Sequence, residues 1–127
     1  MTTLTNQSLD EFISMLGQFI SAAQTVWPED AGLQTYKTGY DMIVAMGSLG
    51  TAAKEKLAKE YYDSMRPYFQ RCAQHDATLF TEENISILEE INLREKWLDS
   101  SISEQTRNTI WVYIEELNRL VQVHCSV

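Results

Sequence analysis

Residues 97–123, WLDSSISEQTRNTIWVYIEELNRLVQV, contain the longest uninterrupted helical pattern in the chain. Apolar residues recur there every three or four positions, which places them on one face of a helix. That face consists of Ile110, Tyr113, Ile114, Leu117, Leu120 and Val121. Ser101 with Glu104 has the spacing of a capping box, and Ser103 is an alternative N-cap. A helix with one apolar face needs a partner surface, which the rest of the chain must supply.

Length and composition predict one soluble domain. The chain has 127 residues, enough for an ordinary hydrophobic core, and its content of 44% hydrophobic and 22% charged residues is typical of globular proteins. The net charge of −8 argues against binding to nucleic acid or to an anionic membrane surface, because both need clustered Lys and Arg. No apolar run approaches the roughly 20 residues of a membrane span.

The first residues, MTTLTNQSLDEF, contain neither a basic segment nor an apolar segment typical of a secretory signal. We therefore expect a protein that is not secreted and that sits in a reducing compartment. Cys72 and Cys125 are then expected to be free thiols.

Two helices are predicted in the first half of the chain. Residues 1–7 are expected to be flexible, the first helix begins at Ser8, and it ends at Trp27-Pro28 because proline disfavours helical backbone in the preceding residue. Asp30 is a candidate N-cap for a second helix over residues 33–46. Its predicted buried face consists of Leu33, Tyr36, Tyr40, Ile43 and either Met46 or Val44. Gly39 inside this helix permits a close helix–helix approach or lies at the surface, and Gly47 is a candidate C-cap.

A third helix is predicted over residues 51–65, broken or kinked at Arg66-Pro67 and followed by a short continuation through Cys72. Thr81 or Asn84 is expected to cap a short helix that carries Ile85, Leu88 and Ile91, with Trp97 either at its end or in a separate turn. No strand-like alternation occurs over a useful length. The prediction is an all-α fold, a single-domain bundle of five to six helices over residues 1–127.

Several motifs resemble a family of short, acidic, helical proteins from nucleocytoplasmic large DNA viruses. The matching residues are Val26-Trp27-Pro28-Glu29-Asp30, Leu33, Tyr36-Lys37, Pro67-Tyr68, Asp76, Phe80, Trp97, Thr106, Ile110-Trp111, Tyr113-Ile114 and Leu117. The similarity spans most of the chain, but residues 41–50 and 124–127 depart from the pattern. The resemblance implies a viral origin and a helical fold, and it transfers no catalytic residue.

Metal and catalytic sites have little support in the sequence. Cys72 and His75 have a short zinc-ligand spacing, and His124-Cys125 would complete a four-ligand site, but adjacent helical residues point about 100° apart. We therefore predict no metal and no cofactor. Acidic pairs such as Glu89-Glu90 are interpreted as solvated helix faces, and no nucleotide-binding or hydrolase motif occurs.

Aromatic residues are the main candidates for a binding role. Exposed tryptophan and tyrosine anchor many protein interfaces, and the candidates are Trp111, Tyr62 and Trp97. The predicted function is a non-enzymatic viral protein acting through protein–protein contacts, as a virion component, a self-associating protein or a host-factor binder, in the host cytoplasm or the virion. The alternative is a small-ligand-binding or enzymatic domain with a pocket between helices, which a concave pocket holding a residue of perturbed pKa would favour.

Overall fold

The computed structural model describes the backbone of residues 2–125 and the side chains of residues 7–125, and within that part the protein is all-α. Four long helices form the body: α1 (Thr2–Val26), α2 (Ala31–Ala45), α3 (Thr51–Met65) and α8 (Glu104–Cys125). Four short helices lie between α3 and α8, namely α4 (Phe69–Ala73), α5 (Thr78–Glu82), α6 (Ser86–Glu89) and α7 (Leu93–Leu98). The all-α class is confirmed. The described residues form eight α-helices, more than the five to six predicted, because the region between α3 and α8 contains four short helices.

The first helix begins earlier than predicted. Helix α1 includes Thr2, so the predicted start at Ser8 is wrong, and Ser8 is a buried residue within the helix. Residues 1–7 were predicted to be flexible. The backbone of residues 2–7 belongs to α1, whereas Met1 and the side chains of residues 2–6 lie outside the described residues. The predicted end is confirmed, because α1 stops at Val26, just before Trp27-Pro28.

Local sequence determines most of the remaining helix boundaries. Asp30 caps α2 by accepting a hydrogen bond of 2.8 Å from the backbone N–H of Leu33. Gly47 follows α2 with φ +58°, a left-handed conformation that glycine adopts without steric cost, and a 3₁₀ turn over Gly47–Gly50 leads into α3. Ser103 caps α8, because its Oγ accepts from the N–H of Thr106 at 3.0 Å, so of the two candidates the capping box at Ser101 is not formed.

The short helices follow the breaks in the sequence. Pro67 sits in a 3₁₀ turn, Arg66–Tyr68, that separates α3 from α4. Helix α6 starts at Ser86 without a side-chain cap, so the predicted caps Thr81 and Asn84 are both wrong. Trp97 belongs to a separate helix, α7, because Asn92 takes a left-handed conformation (φ 54°) that ends the preceding segment.

Helices α1 and α8 form the centre of the bundle. They pack along each other, α8 also packs on α3, and α1 contacts both α2 and α3. The predicted apolar face of α8 is buried at Ile110, Ile114, Leu117, Leu120 and Val121, and the α1 face is buried from Leu9 to Ala23. Ring pairs join the layers: Phe19 lies 5.4 Å from Tyr113, and Phe12 lies 5.4 Å from Tyr61. None of the helices within residues 2–125 combines the length and the apolarity of a membrane span.

Helix α2 differs from this pattern, because most of its predicted buried face is not buried. Leu33, in its first turn, is the one α2 residue that is buried. Tyr36, Tyr40 and Ile43 are half-buried, and both Met46 and Val44 are exposed, so the prediction of burial is wrong for this half of the helix. The bundle covers the start of α2 and leaves an apolar stripe uncovered toward its end.

Candidate protein-interaction surface

Two of the three aromatic residues predicted as partner anchors lie inside the molecule. Trp111 is 4% exposed and Trp97 is 7% exposed, so neither reaches a partner at the surface. Both pack on Phe80, whose ring centroid lies 4.6 Å from that of Trp111 and 4.7 Å from that of Trp97. His75 stacks on Trp111 at 4.8 Å. Phe80 of α5 packs on both indoles and Trp97 of α7 packs on Trp111, and this long-range packing could not be predicted from local sequence.

Tyr62 is the one predicted anchor that keeps part of its surface exposed. Its ring is half-buried, with Phe69 edge-on at 5.9 Å and the Arg66 guanidinium at 5.8 Å from the ring centroid. Arg66 lies in the 3₁₀ turn after α3 and Phe69 begins α4, so Tyr62 belongs to a local cluster and does not protrude as an isolated anchor.

The four zinc candidates are not brought together. Cys72 is fully buried, and burial raises the pKa of its thiol. His75 Nε2 lies 2.8 Å from a carboxylate oxygen of Glu115, whereas His124 lies between Ser8 and Glu55. Cys125 is half-buried, and burial also raises its thiol pKa. Among the described residues no group of three or more His, Cys, Asp or Glu side chains has the geometry to hold a metal ion.

Ser8, His124 and Glu55 form a hydrogen-bonded chain that the sequence did not indicate. The Ser8 Oγ lies 2.9 Å from His124 Nδ1, and His124 Nε2 lies 2.8 Å from Glu55 Oε2. These are the residue types of a hydrolytic triad, but the His124 side chain is only 3% exposed and Ser8 is buried in the second turn of α1. The described residues therefore leave both side chains covered. The three hydrogen-bonded residues connect α1, α3 and α8.

A buried ion pair fixes the start of α2. Lys96 is 5% exposed, and its Nζ donates to the carbonyl of Ile91 at 2.6 Å and pairs with Asp30 at 2.8 Å. Its ammonium also lies 5.7 Å from the centroid of the Trp27 ring. Asp30 thus caps α2 and neutralises Lys96 with the same carboxylate. The sequence predicted that Asp30 is a helix cap, but it did not predict the ion pair with Lys96, which is 66 positions further along the chain.

An uncovered apolar surface extends from α2 into the 3₁₀ turn. We call it the α2 face, and it consists of Tyr36, Gly39, Met42, Ile43, Met46, Leu49 and Leu57. Leu49 is 84% exposed and Met42 is 66% exposed, values that are high for large apolar side chains. Contiguous apolar surface of this kind marks interaction sites in soluble proteins, whereas single exposed residues such as Val112 need no explanation.

A groove of about 550 Å³ forms the middle of the α2 face, between α2 and α3. Tyr36, Ile43 and Leu57 line it, and Gly39 leaves it open, because no heavy atom lies within 4 Å of the position that a Cβ at Gly39 would take. The hydroxyl of Tyr36 is buried and has no hydrogen-bond partner among the described residues. The groove therefore has a mainly apolar lining, and the Tyr36 hydroxyl is buried and not part of its open surface.

Charges lie at the edges of the α2 face and not on it. Residues 42–53 contain no charged side chain, in a protein whose net charge is −8. Glu90 lines the end of the groove near the start of α2, and its pKa is raised by partial burial and by the charge of Glu60. Burial and the same two carboxylates also raise the pKa of Tyr36. Lys37 and Asp41 pair with each other at 2.8 Å, on the opposite side of α2 from Gly39.

No family model, curated protein or solved structure matches the chain. The fold and the α2 face are therefore interpreted from their own geometry. Within the described residues, that geometry is an uncharged apolar face with a groove, and it is suited to binding.

Proposed function

We propose that this chain is a non-enzymatic helical protein that acts through protein–protein contacts made by the α2 face. The observation that carries the proposal is the uncovered apolar stripe that includes Met42, Met46 and Leu49, each about half exposed or more. Apolar surface of this extent contributes binding free energy when a partner removes it from water. The burial of Trp97 and Trp111 supports placing the contact on α2 and not on α8.

The biological setting is part of the same proposal. The motif resemblance in residues 26–37 and 97–117 supports a protein of a large DNA virus, located in the virion or in the host cytoplasm. Its role there is that of a virion component, a self-associating protein or a binder of a host factor. The net charge of −8 favours solubility and disfavours nucleic acid as the partner.

The test compares two matched surface variants. Leu49→Glu places a charge in the α2 face, and Val112→Glu places the same charge on an isolated exposed residue of α8. We expect wild type and Val112→Glu to associate, either with themselves in light scattering or with a protein retained from natural host extract, and Leu49→Glu to lose that association. A protein that is monomeric at high concentration and that retains nothing sensitive to Leu49→Glu overturns the proposal.

A second candidate function, small-ligand binding in the groove, is favoured by one specific observation. The groove is concave and holds Tyr36 and Glu90, both with raised pKa. A ligand with an apolar body and an amine would place the amine against Glu90. Chemical-shift changes confined to groove residues on titration with a small aliphatic amine would support this candidate, and their absence at high amine concentration would reject it.

A further inference from the structure

We propose that the partner of the α2 face is a second copy of this chain, with the two α2 helices packed antiparallel and crossing at Gly39. This inference rests on the proposed function and names its partner. Three observations support it: the glycine at the centre of the face, the absence of charge on the face, and the distribution of charge at its two ends.

Gly39 has no structural role within the monomer. It lies in the interior of an exposed stretch of helix, where glycine destabilises the helix relative to alanine, and a Cβ there would meet nothing within 4 Å. Gly17 provides the contrast, because a Cβ at Gly17 would collide with the hydroxyl of Tyr40. A glycine without an internal contact leaves space for a helix from outside to approach the α2 backbone closely.

The overall charge restricts how two copies can meet. Each copy carries a net charge of −8, so most pairs of surfaces repel each other. The α2 face and the turn after it are uncharged from residue 42 to residue 53, so two copies can bring these surfaces together without opposing like charges. A protein partner with a strongly basic surface would instead be expected to meet a face lined by acidic residues.

The charges at the two ends of the face are complementary under a two-fold rotation. Glu90 lies beside Gly32, because the backbone carbonyl oxygen of Glu90 is 3.0 Å from the position that a Cβ at Gly32 would take. Gly32 is seven residues before Gly39. Met46 is seven residues after Gly39 and lies near Gly50, where α3 begins, and Lys54 is in the first turn of α3. Consider a two-fold axis that passes beside Gly39, lies in the plane between the two copies and is perpendicular to α2. This axis places Lys54 of each copy opposite Glu90 of the other.

The neighbouring charges are compatible with this arrangement. Lys54 is half-buried, on the same side of α3 as Leu57 one turn later, and it forms no ion pair within the described residues. Glu60, the other carboxylate near the groove, is exposed and lies 3.9 Å from Lys56 of its own helix. The two symmetry-related pairs of Lys54 with Glu90 thus fix the antiparallel register.

Charge exchange tests the pairing directly. We expect Lys54→Glu and Glu90→Lys each to raise the dimer dissociation constant about tenfold, because each change alters two symmetric rim pairs, and the double variant to restore the wild-type value. Lys59→Glu is the matched control, because it changes the net charge equally from a different side of α3. Sedimentation equilibrium of the full chain gives each constant.

Gly39→Leu supplies an independent readout. A Cβ at position 39 meets no described heavy atom within 4 Å, and the rest of the leucine side chain would occupy the space at the crossing, so we expect a folded monomer that no longer dimerises. A wild-type protein that stays monomeric overturns the inference, as does a dimer whose dissociation constant is unchanged by Gly39→Leu and by the charge exchange. If monomeric wild type still binds a different protein in a manner sensitive to Leu49→Glu, this inference fails while the proposed function stands.

Discussion

Lys96 keeps a charge inside the molecule because its ammonium group has a carboxylate, a carbonyl and an aromatic ring as neighbours. Burial alone would raise the pKa of Asp30, but the hydrogen bonds from Lys96 and from the Leu33 N–H outweigh it and lower that pKa. The pair therefore stabilises the fold only while the carboxylate is ionised.

The pH dependence of this pair has a definite sign. A carboxyl whose pKa is lower in the folded state contributes stability above its unfolded pKa, about 3.9 for aspartate, and loses it as the pH falls through the lowered folded value. We expect Asp30→Asn to lower the free energy of unfolding at pH 7 by about 1.5–3 kcal/mol, because asparagine can still cap α2 but Lys96 loses its counter-charge. Urea unfolding should show this difference shrinking below about pH 4. A constant difference between wild type and Asp30→Asn across that range would contradict the assignment.

Tyr36 and Tyr40 form a matched pair, because both are half-buried but only one has a satisfied hydroxyl. The Tyr40 hydroxyl donates to the carbonyl of Ile13 at 2.8 Å, whereas the Tyr36 hydroxyl has no partner among the described residues. We expect Tyr40→Phe to lower the free energy of unfolding by about 1 kcal/mol and Tyr36→Phe to leave it unchanged or raise it. Chemical denaturation of the two variants at one protein concentration measures both effects. Equal destabilisation would show that Tyr36 has a partner in the folded protein.

At the scale of the helix, the glycines of α1 and α2 differ in whether the surrounding structure leaves space for a side chain. A methyl group at Gly17 would collide with the Tyr40 hydroxyl, so we expect Gly17→Ala to lower the free energy of unfolding by about 1–3 kcal/mol. A methyl group at Gly39 meets nothing, so Gly39→Ala should raise that free energy of the monomer by about 0.5–1 kcal/mol through helix propensity. Thermal unfolding at low protein concentration separates the two. A stable Gly17→Ala protein would place Tyr40 elsewhere.

Local patterns were sufficient to predict most of the helices. The third helix was predicted over residues 51–65 and is found at Thr51–Met65, because a glycine-rich turn precedes it and Arg66-Pro67 follows it. The apolar face of α8 was also predicted, since a single periodic stripe determines which side of a long helix is buried. The start of α1 was missed because Ser8, a residue typical of caps, is used instead to contact His124.

The coverage of α2 and of Trp111 could not be predicted from the sequence. A periodic stripe shows that one side of a helix is apolar, but it does not show where the rest of the chain supplies a covering surface. For Trp111 that surface comes from Phe80 and Trp97 on two helices of five and six residues. For the second half of α2, the part of the chain that the structure describes supplies no such surface, and the candidate interaction site lies there.

At the scale of the whole molecule, the proposed self-association through the α2 face would make the apparent stability depend on protein concentration. A partner that binds only the folded state stabilises it by mass action, so the wild-type Tm should rise with protein concentration. We expect Lys54→Glu to show a weaker rise and Gly39→Leu to show none. Differential scanning calorimetry over a wide concentration range measures the three slopes. Three equal slopes would exclude the α2 face as the dimer contact.

The cluster of Trp97, Trp111 and Phe80 also provides an intrinsic optical probe. The two indoles lie 5.7 Å apart at an interplanar angle of 75° in a packed environment, and we expect this fixed packing to give a near-ultraviolet circular dichroism signal. One indole belongs to α7 and the other to α8, so the signal depends on the short helices staying docked on the long one. Its loss before the helical signal at 222 nm would mark a state in which the four long helices are still formed and the short ones have detached.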